Sequence, residues 1–225
     1  MLLLAPYLLV VILHLFADAT GAHALAGATQ VLLMPALGAF LVASAPRHGR
    51  LIRLTRWALL FSWLGDTVPR FLHGQDAFGA MLGLFLIAQI EYVQAFWPSR
   101  GRSVWRVRRA WLVPYGIALV ALLATCAPPA GALAPAVIVY GCCLAAMAVL
   151  ATGINPLTWA GAAIFMVSDS LIALDAFDVW TQPGHDFWVM ATYCLAQLLL
   201  VLGVVREART QTGASPGHHA GVVPG

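Results

Sequence analysis

Apolar runs of roughly 17–22 residues recur along the whole chain, separated by short connections, and each matches the ~20 residues a helix needs to cross a bilayer's hydrocarbon core. With 61% hydrophobic and 9% charged residues in 225, a soluble domain would lack the interior to hide them. The sequence predicts an all-α polytopic membrane protein, a bundle of about eight transmembrane helices. The expected spans are 2–17, 22–44, 54–72, 78–97, 110–126, 133–152, 157–177 and 187–205. Pro and Gly punctuate the connections, as at Ala127-Pro128-Pro129 and Gly153-Ile154-Asn155-Pro156. The first run has no basic leader and no clear cleavage pattern, so it is expected to be a retained helix.

Arginine placement supports the count. Arg47, Arg50, Arg53 and Arg56 flank one connection, Arg100, Arg102, Arg106, Arg108 and Arg109 fill another, and Arg206 and Arg209 follow the last span. An eight-span chain gathers all of these on one side and leaves Arg70 alone on the other. The positive-inside rule then places both termini and the arginine loops in the cytoplasm. The net charge of +3 thus reflects topology, and no nucleic acid is needed to explain it. Anionic lipid headgroups are natural neighbours for these loops. The expectation is one membrane domain over 1–209 in a bacterial inner membrane, followed by a disordered tail over 210–225. The His218-His219 pair in that tail is read as chance. Cys126, Cys142, Cys143 and Cys194 all lie in apolar spans without CxxC spacing, as buried hydrophobes do.

Chemistry must come from polar residues inside the membrane. Asp66 and Asp169 lie in the third and seventh spans, both ~20 Å from the arginine side at 1.5 Å per residue. A carboxylate at such depth is costly unless paired, solvated or protonated, and two at matching depth point to one polar site. Ser62 precedes Asp66 by one turn, and Ser168 and Ser170 flank Asp169, within reach of its carboxylate or of a neighbouring helix. Gln89, Tyr92 and Phe96 share one face of the fourth span, whereas Glu91 points elsewhere with Gln94. Tyr140 lies in the sixth span, and Tyr193, Ala196 and Gln197 form a stripe in the eighth. Packing or interhelical hydrogen bonding would equally explain the tyrosines and glutamines. His14 and Asp18, four residues apart, are expected to pair locally. Trp57, Trp63 and Trp97 are expected to pack or anchor at the interface.

These residues fall in strings that carry a resemblance. Ala58-Leu-Leu-Phe-Ser-Trp-Leu-Gly-Asp66, Phe85-Leu-Ile-Ala-Gln-Ile-Glu-Tyr92-Val-Gln-Ala-Phe96, Ile164-Phe-Met-Val-Ser-Asp169-Ser-Leu-Ile-Ala-Leu-Asp-Ala-Phe177 and Thr192-Tyr193-Cys-Leu-Ala196-Gln197 resemble, in order, the FSxxGD, FxxAHxxYxxAF, LFxxSDxxIAxxxF and TYxxAQ segments of the YhhN-like lysoplasmalogenases. The resemblance covers about 51–203. It implies hydrolysis of the vinyl ether of a lysoplasmalogen to a fatty aldehyde and a glycerophospho-alcohol, with Asp66 and Asp169 catalytic. Ser62, Gln89, Tyr92, Tyr140, Ser168, Tyr193 and Gln197 are then the expected substrate-binding residues. The partners implied are a lysolipid substrate and membrane lipids, and no metal or cofactor is required. Two departures stand out: Gln89 replaces the family's histidine, and Met34-Pro35 replaces a Lys-Pro pair. They leave open a changed substrate, a lower activity or a non-catalytic lipid-binding member.

A carrier is the competing class, because intramembrane aspartates also bind coupling ions. Ala88-Gln89 and Ala196-Gln197 echo each other one helix after each aspartate, as an internal repeat would. Neither aspartate sits in a helix broken by Gly or Pro, beyond Gly65 and Pro69, which counts against that reading.

Overall fold

The computed structural model describes residues 2–46 and 49–213. Among the described residues, nine α-helices run in chain order: α1 (Ala5–Thr20), α2 (His23–Ser44), α3 (Arg50–Thr67), α4 (Gly74–Phe96), the single turn α5 (Val104–Val107), α6 (Leu112–Cys126), α7 (Ala134–Ala151), α8 (Pro156–Ala176) and α9 (His185–Gly213). Eight are long, one for each expected span. Helices satisfy their backbone groups internally, as a bilayer demands, and where Pro35 interrupts α2 the freed Val31 carbonyl accepts from Trp63 of α3.

Seven of the eight long helices are apolar enough to cross a membrane by length and composition. The exception, α3, carries Arg50, Arg53, Arg56 and Asp66, and it packs against α2, α4 and α9. The large outward-facing side chains, such as Ile12, Ile117 and Val120, are about two-thirds exposed at 66%, 65% and 65%. That inside-out distribution suits a lipid surround rather than water.

Helix α9 is the most enclosed of these segments and α6 the least. Small residues bring α8 onto α9: a Cβ at Gly161 would lie 2.8 Å from the Ala196 carbonyl oxygen, and one at Gly203 2.7 Å from the Thr158 nitrogen. Asn155 caps α8, its Oδ1 accepting from the Leu157 and Thr158 amides at 3.1 Å while its Nδ2 donates to the Gly203 carbonyl at 2.8 Å.

Long-range contacts define one end of the bundle. Arg209 donates to the Ser44 carbonyl at 2.7 Å, Arg102 pairs with Glu207 at 2.7 Å, and the Val104 amide donates to Thr152 at 3.0 Å. Arg209 and Glu207 lie on α9 beyond its expected end at 205, because the helix continues to Gly213. Residues 210–213 of the expected tail are therefore helical. The rest of the tail, with His218-His219, lies outside the described residues.

Candidate active site

The opposite end of the bundle holds both aspartates. On α3, Ser62 and Asp66 occupy one buried face. Asp66 accepts a hydrogen bond from the Tyr193 hydroxyl at 2.8 Å. The Tyr193 ring is held edge-on by Phe85 and Phe165, each with its ring centre 5.8 Å away, so its hydroxyl has a fixed aim. Phe85 reaches this position because residue 65 is glycine: a Cβ there would be 2.7 Å from the Phe85 Cδ2. One turn deeper, Tyr92 donates to the Gln197 Oε1 at 2.7 Å, and the Gln197 Nε2 donates to the Ser62 Oγ at 3.1 Å. This fully buried chain ties α4, α9 and α3 together.

Asp169 on α8 is arranged in parallel, accepting from the Tyr140 hydroxyl of α7. Of the flanking serines, Ser168 takes the neighbouring-helix role and Ser170 takes neither expected role. Ser168 donates to the Val189 carbonyl of α9 at 3.1 Å, and Ser170 to the Met166 carbonyl of its own helix at 2.7 Å. Ser168 thus joins helices and does not bond the Asp169 carboxylate. Gln89 is fully buried with its amide against the Tyr140 hydroxyl, but the contact falls short of hydrogen-bond geometry, so neither its amide oxygen nor its nitrogen completes a well-formed hydrogen bond. On the same helix Glu91 points elsewhere and also leaves a buried oxygen unpartnered.

Two adjacent cavities separate the carboxyls. Asp169 and Tyr140 line an apolar cavity of about 50 Å³. Asp66 lines a more polar one of about 420 Å³, which also holds His14, Gln30 and Arg70. Met81, Phe85 and Ile172 line both and form the partition. The one polar site expected from matching depth is thus two neighbouring compartments, one lined by Asp169 with Tyr140 and the other by Asp66, whose Tyr193 partner lies behind it.

Residues 25–204 match the YhhN family. The chain is also 31% identical over 175 residues to a protein named lysoplasmalogenase TMEM86B, from Rattus norvegicus, across 77% of this chain and 70% of that one. This chain belongs to the YhhN family. No solved structure matches it.

Of the nine residues expected at the site, Asp66, Asp169 and Tyr140 line the two compartments. Tyr193 bonds Asp66, Tyr92, Gln197 and Ser62 form the buried chain beneath it, Gln89 is buried beside Tyr140, and Ser168 is turned to the backbone of α9. Met34, in place of the lysine that the resemblance implies, is core. His14 does face Asp18, with 3.4 Å between Nε2 and Oδ2, and its Nδ1 lies 2.8 Å from Thr29 Oγ1. Trp63 anchors to the Val31 carbonyl at 2.9 Å, while Trp57 and Trp97 face outward. Sequence reasoning missed Gln30, whose Oε1 accepts from Arg70 at 2.8 Å beside Asp66. The available signal was Arg70 itself, isolated from every other arginine in the sequence. Among the described residues, no three His, Cys, Asp or Glu side chains are grouped as a metal ion would need.

Proposed function

We propose that this protein hydrolyses the vinyl ether bond of a lysoplasmalogen-type lysolipid, with Asp66 and Asp169 as its acid–base pair. The observation that carries this is the pair of buried carboxyls, each held by a tyrosine, on either side of a thin apolar partition. The similarity to a lysoplasmalogenase supports the same bond type.

Vinyl ethers hydrolyse by protonation at carbon, which needs a positioned acid and a nearby anion. Asp169 faces the small apolar cavity, which suits the first carbons of an alkenyl chain. In this account its proton adds to C2 of that chain, leaving an oxocarbenium ion at C1. Asp66, facing the wider polar cavity, stabilises the cation and takes a proton as water adds to C1. The hemiacetal then breaks its bond to the glycerol oxygen, which receives the Asp66 proton, while the hemiacetal hydroxyl returns a proton to Asp169. Two carboxyls sharing one proton divide such work in many glycosidases. Tyr193 and Tyr140 hold the carboxyls in register, and the Gln89 amide, beside Tyr140, positions the hydroxyl that holds Asp169.

Purified protein in detergent, given a lysoplasmenylethanolamine in D₂O, tests the reading. The expected products are glycerophosphoethanolamine and an aldehyde carrying one deuterium at C2. Absence of aldehyde from folded protein, or an aldehyde without that deuterium, would refute it.

A further inference from the structure

The larger cavity holds more polar chemistry than the proposed reaction uses. Beyond Asp66 it is lined by Arg70, Gln30, His14, Asp18, His185 and Asp186. The Arg70 guanidinium is placed with care. One of its nitrogens donates to the Gln30 Oε1 at 2.8 Å, and its Nη2 end abuts Gly27, where a Cβ would come 2.1 Å from Nη2. Its side chain is thus held on one side by Gln30 and Gly27 and lines the cavity. His14 and Asp18 also line it. Their side chains are only 2% and 7% exposed and pair with each other at 3.4 Å between Nε2 and Oδ2, a contact short of a full hydrogen bond, so the Asp18 carboxylate keeps acceptor capacity toward a polar ligand.

We propose that this cavity binds the zwitterionic headgroup of the lysolipid, with Arg70 taking the phosphate and Asp18 and Asp186 facing the amine. The proposal rests on the function proposed above and names the part of the substrate that sets its specificity. An arginine held by a second side chain is a preorganised phosphate donor, since its fork of N–H groups matches two phosphate oxygens. Opposite charges within one cavity select a headgroup that carries both signs. The spacing also fits. Arg70 follows Asp66 by four residues, across the end of α3 and the 3-10 turn Val68–Phe71, about 7 Å of rise, so an ether bond at Asp66 leaves the glycerol to span the distance to Arg70. The alkenyl chain then runs past Phe85 into the apolar cavity at Asp169. This end of the bundle lies opposite the arginine-rich loops, so the headgroup belongs to the leaflet on the Arg70 side.

The test uses full-length protein in detergent and a saturated 1-O-alkyl lysophosphoethanolamine, which binds without being cleaved, beside the 1-O-alkylglycerol that lacks phosphate. Titration by tryptophan fluorescence reads the two affinities. The parent should favour the phosphorylated lipid by roughly tenfold or more, and Arg70→Gln should abolish that preference while leaving alkylglycerol binding unchanged. Gly27→Val, which pushes the guanidinium away without altering charge, should reduce the preference in the same direction. A preference that survives in Arg70→Gln would overturn the proposal. The outcome is separable from the reaction: bound lipid without vinyl ether turnover counts against the proposed function, and turnover with an Arg70-independent headgroup preference counts against this inference alone.

Discussion

Gly65→Ala is the sharpest probe of how the fold aims its catalytic groups. The new methyl would stand 2.7 Å from the Phe85 ring, where carbon atoms settle at about 3.5–4.0 Å, so the ring must retreat by about 1 Å. Phe85 is packed edge-on against Tyr193, and Tyr193 holds Asp66, so the displacement reaches the carboxyl in two steps. Overpacking of this kind costs about 1–3 kcal/mol of stability. A misplacement of about 1 Å at a reacting group lowers turnover by as much as ~10²-fold. Aldehyde release per folded molecule, measured beside unfolding in detergent, reads the two effects separately. Phe85→Leu removes the ring edge that clashes, so the double variant should regain much of the stability lost, with a coupling of about 0.5–3 kcal/mol. Gly65→Ala with full activity, or a double variant whose loss equals the sum of the singles, would refute this chain of contacts.

Three further outcomes are expected. Gln89→Met removes a buried amide that completes no well-formed hydrogen bond; unfolding measurements should show it stabilised by about 1–3 kcal/mol while turnover falls, a split that a purely structural Gln89 would not show. Tyr193→Phe and Tyr140→Phe each delete the hydrogen bond to one carboxyl; kcat should drop roughly tenfold or more in each, with little change in thermal stability because the rings remain. Arg102→Ala breaks the ion pair with Glu207, but Arg102 is 59% exposed, so unfolding should shift by less than about 1 kcal/mol.

Much of this architecture is legible in the chain because a bilayer enforces simple rules. Hydropathy marks seven of the eight long helices, and for α3, too charged to qualify by composition, the alternation of arginines supplies what hydropathy does not. The end of α9 is missed for a physical reason: apolar patterning stops near Val205 where lipid ends, whereas the helical hydrogen-bond ladder continues and is pinned by Arg209 on Ser44. Asp66 and Asp169 stand out because charge in an apolar run is expensive. Their pairing with Tyr193 and Tyr140 is not readable, since those contacts join residues 127 and 29 positions apart. Arg70 and Gln30 escape for the same reason, 40 positions apart in sequence. Ser168 shows the limit of local spacing, because adjacency to Asp169 says nothing about which way its hydroxyl turns.

The central claim is that both carboxyls take part in one proton-transfer cycle. It is tested most directly by single-turnover aldehyde release from Asp66→Asn and Asp169→Asn, each an isosteric change that keeps the tyrosine as a neighbour. The account predicts that either substitution alone lowers the rate by at least ~10²-fold, and that the double variant is little slower than the singles, because the two act as a unit. Near-parental turnover in either folded variant would contradict it.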